Sequence, residues 1–134
     1  MNPSKIKDQY WVYTERKDSN YPKDTENSGK WLVFVPLLFL DITWENIKNA
    51  TENGLLGSAS KSATAKPNIN AANSHEKVIC VYTYDWTDKE DVMRVRDELR
   101  KLGVTWKIPY KSNNDTLEMK YQVNGDKKIS KYYE

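Results

Sequence analysis

The chain has 134 residues, of which 38% are hydrophobic and 30% are charged, and its net charge is +2. This length is typical of one domain, and the composition excludes a disordered chain. The small net charge excludes a strong overall field, so any contact with a polyanion has to come from local clusters of basic residues. We therefore expect a single α+β domain over residues 1–134.

Aromatic residues are abundant, with five Trp and nine Tyr. A small core uses some of these rings, and we expect others to line a groove or an exposed sheet face. The single cysteine, Cys80, lies in an apolar run, which predicts a buried, unreactive thiol and no intrachain disulfide. No apolar run approaches the ~20 residues that span a bilayer. We expect a cytoplasmic protein with no membrane contact, no metal and no cofactor.

The first half of the chain predicts a strand, a second strand, a helix and a third strand. Residues 9–14 are aromatic and β-branched, and residues 31–36 form an apolar run that ends at a proline. A helix over residues 41–53 has an apolar face, with Asp41 as its predicted N-cap and Gly54 as its stop. The small residues of segment 57–66 are compatible with the third strand.

The second half repeats this order. Residues 78–84 form an apolar strand, and Thr87 and Glu90 have the spacing of a capping box for a helix over residues 88–102. Its apolar stripe recurs every three or four residues and ends before Gly103. The remaining predictions are a strand at 106–111 and a hairpin of strands 116–123 and 127–133, joined through Asn124 and Gly125.

Each predicted helix has a single apolar stripe, so both can lie on one face of a shared sheet. We expect a curved, mainly antiparallel sheet whose other face is open to solvent or ligand. A ferredoxin-like sandwich is the alternative, because it has the same strand–helix–strand repeat. The number of strands and the curvature of the sheet distinguish the two folds.

Several separated motifs resemble those of the basophilic leukaemia-expressed protein family, over residues 29–121. In the first half they are GKWLVFV at 29–35, DITWENI at 41–47, GLLG at 54–57 and ASK at 59–61. In the second half they are VICVYT at 78–83, Asp85, TD at 87–88, EDV at 90–92, RVR at 94–96, Leu99, LG at 102–103, YK at 110–111 and Thr116.

The resemblance implies a fold similar to that of the cap-binding translation initiation factor 4E, which is a curved antiparallel sheet backed by helices. The family is also described as containing a phosphothreonine lyase domain. Such an enzyme needs a base, commonly lysine, and a general acid, commonly histidine, in one pocket. The only histidine here, His75, lies in a predicted polar loop, which argues against lyase activity.

Two lysines are candidate contacts for a phosphate group. Lys61 follows small residues that allow a ligand to approach the backbone, and its alternative role is that of a solvated lysine on an edge strand. Lys111 ends a predicted strand directly after Tyr110, and the alternative is a core tyrosine followed by a surface lysine. Because both lysines lie on strands that follow a helix, we expect them to converge on one side of the sheet.

Three further residues complete the predicted site. Arg96 borders the apolar stripe of the second helix, so it either enters the pocket from the helix–sheet seam or forms a structural ion pair there. Tyr82 or Tyr110 is expected beside the bound anion. Of the tryptophans, Trp44 lies on an apolar helix stripe and belongs to the core, whereas Trp86 and Trp106 are candidates for partial exposure.

These observations favour a non-catalytic module that binds a nucleotide, an RNA end or another phosphate-bearing ligand. The first alternative is an enzyme acting on phosphate esters, with Lys61 or Lys111 as base and a tyrosine as acid. The second is a protein-interaction scaffold without a small-molecule site. None of the common motifs for nucleotide hydrolysis, dinucleotide binding, zinc binding or Ser-His-Asp catalysis is present.

Overall fold

The computed structural model describes residues 2–67, 75–114 and 130–134. The described residues contain two α-helices, α1 (Leu40–Glu52) and α2 (Lys89–Lys101), together with short 3-10 segments at Pro3–Lys5 and Leu37–Phe39. The strands are β1 (Trp11–Glu15), β2 (Gly29–Pro36), β3 (Ala59–Ala63), β4 (Glu76–Thr83), β5 (Pro109–Ser112) and β6 (Tyr132–Tyr133).

The six strands form one curved antiparallel sheet in the order β1-β3-β4-β2-β5-β6. This confirms the predicted α+β fold with a mainly antiparallel sheet. The ferredoxin-like alternative describes only the inner part, where β2, α1, β3, β4, α2 and β5 follow the β-α-β-β-α-β order. Strands β1 and β6 extend the sheet at its two edges.

Both helices cover the same face of the sheet, as predicted. Alternation along β2 directs Trp31, Val33 and Val35 into the core, where they meet apolar residues of both helices. The indole nitrogen of Trp31 donates a hydrogen bond to the carbonyl of Val92 in α2, at 3.0 Å. Burial of this one face therefore fixes which residues of each strand point the other way.

The helix ends are as predicted, but the caps at their starts are not. Gly54 and Gly103 follow the two helices with φ angles of 79° and 102°, which favour glycine. Helix α2 is capped by Asp88, whose carboxylate accepts from the Asp91 N–H, so the predicted capping box at Thr87 is wrong. The Thr87 hydroxyl instead donates to Asp85.

Asp41 is also not an N-cap, because α1 begins one residue earlier. Its carboxylate accepts hydrogen bonds from the backbone and hydroxyl of Ser4, which attaches the N-terminal segment to the helix. Most of the predicted hairpin lies outside the described residues, which contain only β6 from its second strand. The expectation that residues 1–134 form one domain stays a prediction.

Candidate functional site

Every strand contributes a lysine or a tyrosine to the sheet face opposite the helices. The register pairs Tyr13 with Lys61, and Lys30 with both Tyr82 and Lys111. Tyr133 pairs with Pro109, which lies two residues from Lys111 and therefore on the same face. We call this surface the distal face, defined by Tyr13, Lys61, Tyr82, Lys30, Lys111 and Tyr133.

Three lysines lie together on the distal face, on strands β3, β2 and β5. Lys30 is the central one, with only 7% of its surface exposed, and its ammonium donates to the Asn113 side chain at 3.1 Å. Burial lowers the pKa of Lys30 most, and the charges of Lys61 and Lys111 lower it further, while Cys80 acts in the opposite direction. The charges of Lys61 and Lys111 therefore both act on the ammonium of Lys30, which lies on the strand between theirs.

Aromatic side chains surround Lys61. Its ammonium lies 3.9 Å from the centroid of the Trp11 ring, a cation–π contact, and its cross-strand partner Tyr13 is 68% exposed. Tyr82 is half-buried on the next strand, and desolvation raises the pKa of its phenol well above the ordinary value. Tyr82 is consequently a neutral hydrogen-bond donor at physiological pH.

The centre of the distal face is less open than the sequence predicts. No helix covers it within the described ranges, but Leu32 and Cys80 are buried beside Lys30. Burial raises the pKa of the Cys80 thiol to about 11, although Lys61 and Lys30 lower it in part. The prediction of a buried cysteine is confirmed, whereas its lack of reactivity stays a prediction. The most exposed aromatic residues of this face, Tyr13 and Tyr133, lie on the two edge strands.

Arg96 and Tyr110 lie on the helix side of the sheet, away from the three lysines. The guanidinium of Arg96 is fully buried and donates to the carbonyls of Val104, Trp106 and Glu134 at 2.7–3.2 Å. Tyr110 is also fully buried, and its hydroxyl shares a 2.6 Å hydrogen bond with Thr83. The expectation that Arg96 enters the site from the helix seam is therefore wrong, and Tyr110 is a core residue.

His75 is remote from the lysines. It precedes β4, whose first residue pairs with Pro36 at one end of β2, whereas Lys30 pairs with Tyr82 near the other end. These two pairs are six residues apart, which is ~20 Å along a strand. A lysine base and a histidine acid are thus not brought together. The residues that the structure describes also contain no group of His, Cys, Asp or Glu side chains arranged to hold a metal ion.

An apolar groove of about 480 Å³ lies between the start of α1 and the end of α2. Its lining includes the exposed rings of Phe39 and Trp106 and the exposed side chain of Ile42. Trp106 is therefore partly exposed as predicted, Trp86 is half-buried, and Trp44 belongs to the core. Neither α1 nor α2, the helices of the described residues, is long and apolar enough to cross a bilayer.

Known proteins match both the sequence and the fold. The model of a family described as basophilic leukemia-expressed protein Bles03 matches residues 23–116. A schistosome eIF4E, solved in complex with m7GpppA and 4E-BP, superposes with a TM-score of 0.70 at 16% identity, over 100% of this chain and 75% of that one.

Two nematode proteins have similar folds. Ascaris suum eIF4E-3, solved with the m7G cap, gives a TM-score of 0.57 at 16% identity over 92% of this chain and 67% of that one. Caenorhabditis elegans eIF4E-3, solved with the 4E-binding protein Mextli and a cap analog, gives 0.57 at 19% identity over 81% and 65%. At such identities the likeness shows a common fold.

Proposed function

The chain belongs to the basophilic leukemia-expressed protein Bles03 family, whose model matches more than half of it, and we propose that it is a non-catalytic binding module for a phosphate-bearing ligand. The ligand is a nucleotide or an RNA end, and it lies on the distal face. The proposal includes a cytoplasmic location, where unpaired thiols such as Cys80 are usual.

The proposal rests on the positions of Lys61, Lys30 and Lys111. The register gives these three cations the same face, with Lys30 on the central strand β2, Lys111 on its neighbour β5 and Lys61 on β3 beyond β4. Burial is the main cause of the lowered pKa of Lys30, and the charges of Lys61 and Lys111 lower it further, an effect that an anion bound among the three lysines would offset. A phosphate group accepts several charge-assisted hydrogen bonds at once and suits such a cluster.

The aromatic residues support a ligand that carries a base as well as a phosphate. Trp11 and Tyr13 lie next to Lys61, and the Tyr82 phenol lies between Lys61 and Lys30 across the sheet. Rings beside a cationic cluster are suited to base stacking. The similar folds solved with cap nucleotides agree with this ligand class, but the lysine cluster of this chain is the observation that carries the proposal.

Tryptophan fluorescence during titration with AMP, ADP, ATP and a cap analogue tests the proposal, because Trp11 lies beside Lys61. We expect Lys61→Ala and Lys111→Ala each to weaken binding about tenfold, as the loss of a charge-assisted hydrogen bond implies. Lys101→Ala is the matched control, since Lys101 is an exposed lysine on α2 that pairs with Glu98. No response to any of these ligands at millimolar concentration would contradict the proposal.

The enzymatic alternative has a separate test. A phosphothreonine peptide is incubated with the protein, and release of phosphate and formation of the olefin are measured. A binding module leaves the peptide unchanged. Turnover that is lost in Lys61→Ala or Lys111→Ala would instead identify those lysines as catalytic.

The apolar groove favours a second candidate function, the binding of a protein partner. An exposed apolar surface around Phe39, Ile42 and Trp106 is typical of protein interaction sites. Two of the similar folds were solved with the protein ligands 4E-BP and Mextli. Ile42→Asp is expected to abolish partner capture from cell extract without changing nucleotide binding, and Lys61→Ala is expected to do the reverse.

A further inference from the structure

The distal face carries aromatic rings at both edges of the sheet and lysines between them. β1 and β6 are the outermost strands, and their tyrosines are the most exposed aromatic residues on this face, at 68% for Tyr13 and 60% for Tyr133. In the order of the strands from one edge of the sheet to the other, these residues are Tyr13, Lys61, Tyr82, Lys30, Lys111 and Tyr133, and we call them the row. The row is staggered, because Lys61 pairs with Cys80 and Tyr133 pairs with Pro109, each two residues from the level of Tyr82, Lys30 and Lys111.

This row is longer than a mononucleotide. Neighbouring strands are ~4.8 Å apart, so six strands place Tyr13 and Tyr133 ~24 Å from each other. One base can stack on only one of these rings. A ligand that uses both edges and the central lysines has to be an extended chain with several bases and several phosphates.

The contacts of the edge residues fit such a chain. Lys61 lies over the Trp11 ring next to Tyr13, and Lys107 lies 5.6 Å from the centroid of the Tyr133 ring. Each edge therefore combines a ring with a cation, the pair of groups that tracks the bases and the backbone of a single strand. Lys61 and Lys111 are partly exposed and can contact a phosphate group directly, whereas Lys30 is buried and attracts the ligand only through its charge.

We propose that the distal face binds single-stranded nucleic acid laid across the β-strands, with bases on Tyr13, Tyr82 and Tyr133 and phosphates on Lys61 and Lys111. This inference rests on the proposed function and extends it from one nucleotide to a strand of about four or more nucleotides, the lower end of the site sizes of single-strand binding folds. Unpaired bases are required, because paired bases do not expose their faces to the rings.

The test uses fluorescein-labelled oligouridines and oligodeoxythymidines of two, four, six and eight nucleotides, with fluorescence anisotropy as the readout. We expect affinity to rise with length up to about four to six nucleotides and then to level off. With two phosphates contacted, the logarithm of the affinity is expected to fall with the logarithm of the salt concentration with a slope of about −1.4.

Substitutions at the two edges of the sheet distinguish the binding of single-stranded nucleic acid from the binding of a mononucleotide. Tyr13→Ala and Tyr133→Ala are each expected to weaken hexanucleotide binding about fivefold or more, the effect of losing one stacked base. AMP binding stays unchanged in Tyr133→Ala, because Tyr133 lies on the edge strand far from Lys61 and Trp11. Tyr10→Ala is the matched control, because Tyr10 is also exposed but precedes β1 and lies outside the row. Thermal unfolding of each variant verifies that the fold is intact.

Three outcomes would overturn the inference. Affinity that is the same for AMP and for all oligonucleotides would confine the ligand to one nucleotide and leave the proposed function standing. Equal binding of a hairpin duplex and of a single strand would exclude base stacking. Unchanged oligonucleotide binding in Tyr13→Ala and Tyr133→Ala would place the strand elsewhere. If neither nucleotides nor oligonucleotides bind, the proposed function fails as well.

Discussion

Lys30 and Lys111 are direct cross-strand partners on β2 and β5, with both side chains on the distal face. Like charges directly opposite each other in a sheet are destabilising, commonly by about 0.2–1 kcal/mol. Here the position is also largely desolvated, because Lys30 is buried. A phosphate group bound between the two ammonium groups would reduce their mutual repulsion.

Replacing Lys111 is expected to separate stability from binding. Lys111→Gln removes one cation of this pair, so we expect nucleotide affinity to fall, whereas the free energy of unfolding should change by less than about 1 kcal/mol because Lys111 is partly exposed. Urea unfolding and fluorescence titration measure the two quantities. The matched control is Lys101→Gln, which loses its ion pair with Glu98 and should cost about 0.3 kcal/mol without changing affinity. A Lys111→Gln protein that is less stable and still binds the ligand would contradict this assignment.

The sequence predicts on which side of the sheet Lys30 lies, but it does not indicate that Lys30 belongs to a binding site. Once Trp31, Val33 and Val35 are directed to the helices, alternation directs Lys30 and Leu32 the other way. Lys30 precedes an apolar strand and looks like an ordinary flanking residue, so the pattern alone does not suggest a site. Its position opposite Lys111 and Tyr82 depends on pairings between segments that are distant in the chain.

The repeated strand–helix–strand order predicts that Lys61 and Lys111 lie on one side of the sheet, and the register gives both the distal face, ~14 Å apart across three strand spacings. Their convergence on one ligand stays a prediction. Strand β3 pairs with β4 and β5 pairs with β2, so the two lysines lie on either side of the central strand pair. The edge tyrosines could not be predicted in the same way. The sequence of β6 does not show which strand it joins. The side of the sheet on which Tyr133 lies is determined by its pairing with Pro109.

The protonation of Lys30 makes stability depend on pH. Its pKa in the folded protein lies below the ordinary value of 10.5, so between these two values the unfolded chain binds more protons than the folded one. The contribution of Lys30 to the free energy of unfolding therefore becomes more favourable as the pH rises towards 10.5. Lys30→Met is expected to lose this rise. The measurement compares urea unfolding of the two proteins from pH 7 to about pH 9, where about one in ten unfolded tyrosines is ionised. Parallel curves would show that Lys30 is not responsible.

Gly57 is expected to be indispensable for the placement of Tyr82. A Cβ atom at Gly57 would lie 1.7 Å from the backbone carbonyl oxygen of Tyr82, which no side-chain rotation can relieve. Gly57→Ala should therefore cost about 3 kcal/mol or more and weaken nucleotide binding through the shift of β4.

Gly103→Ala is the control: its φ of 102° strains alanine, but no atom lies within 4 Å of the added Cβ. It should cost about 1–2 kcal/mol and leave binding intact. Equal costs for both variants, measured by urea unfolding, would show that the close approach at Gly57 is relieved by movement of the strand.

Substitutions of Arg96 test whether this residue has a structural role or contacts the ligand. The sequence places it beside the apolar stripe of α2, but its partners are carbonyls that reach it only after the chain turns beyond Gly103. Arg96→Met leaves the carbonyls of Val104 and Trp106 without this donor, so we expect a loss of about 3 kcal/mol in the free energy of unfolding. Arg96→Lys keeps the charge but not the planar fork, and its loss should be intermediate.

Binding measurements on the same variants show whether Arg96 also contributes to nucleotide affinity. Because the guanidinium lies on the helix side of the sheet, nucleotide affinity of the folded Arg96→Lys protein should stay within twofold of the unsubstituted protein at low temperature. A structural role predicts that stability changes and affinity does not. If Arg96→Lys unfolds at the same urea concentration as the unsubstituted protein and yet loses nucleotide binding, then Arg96 contacts the ligand, and the distal face is not the whole of the site.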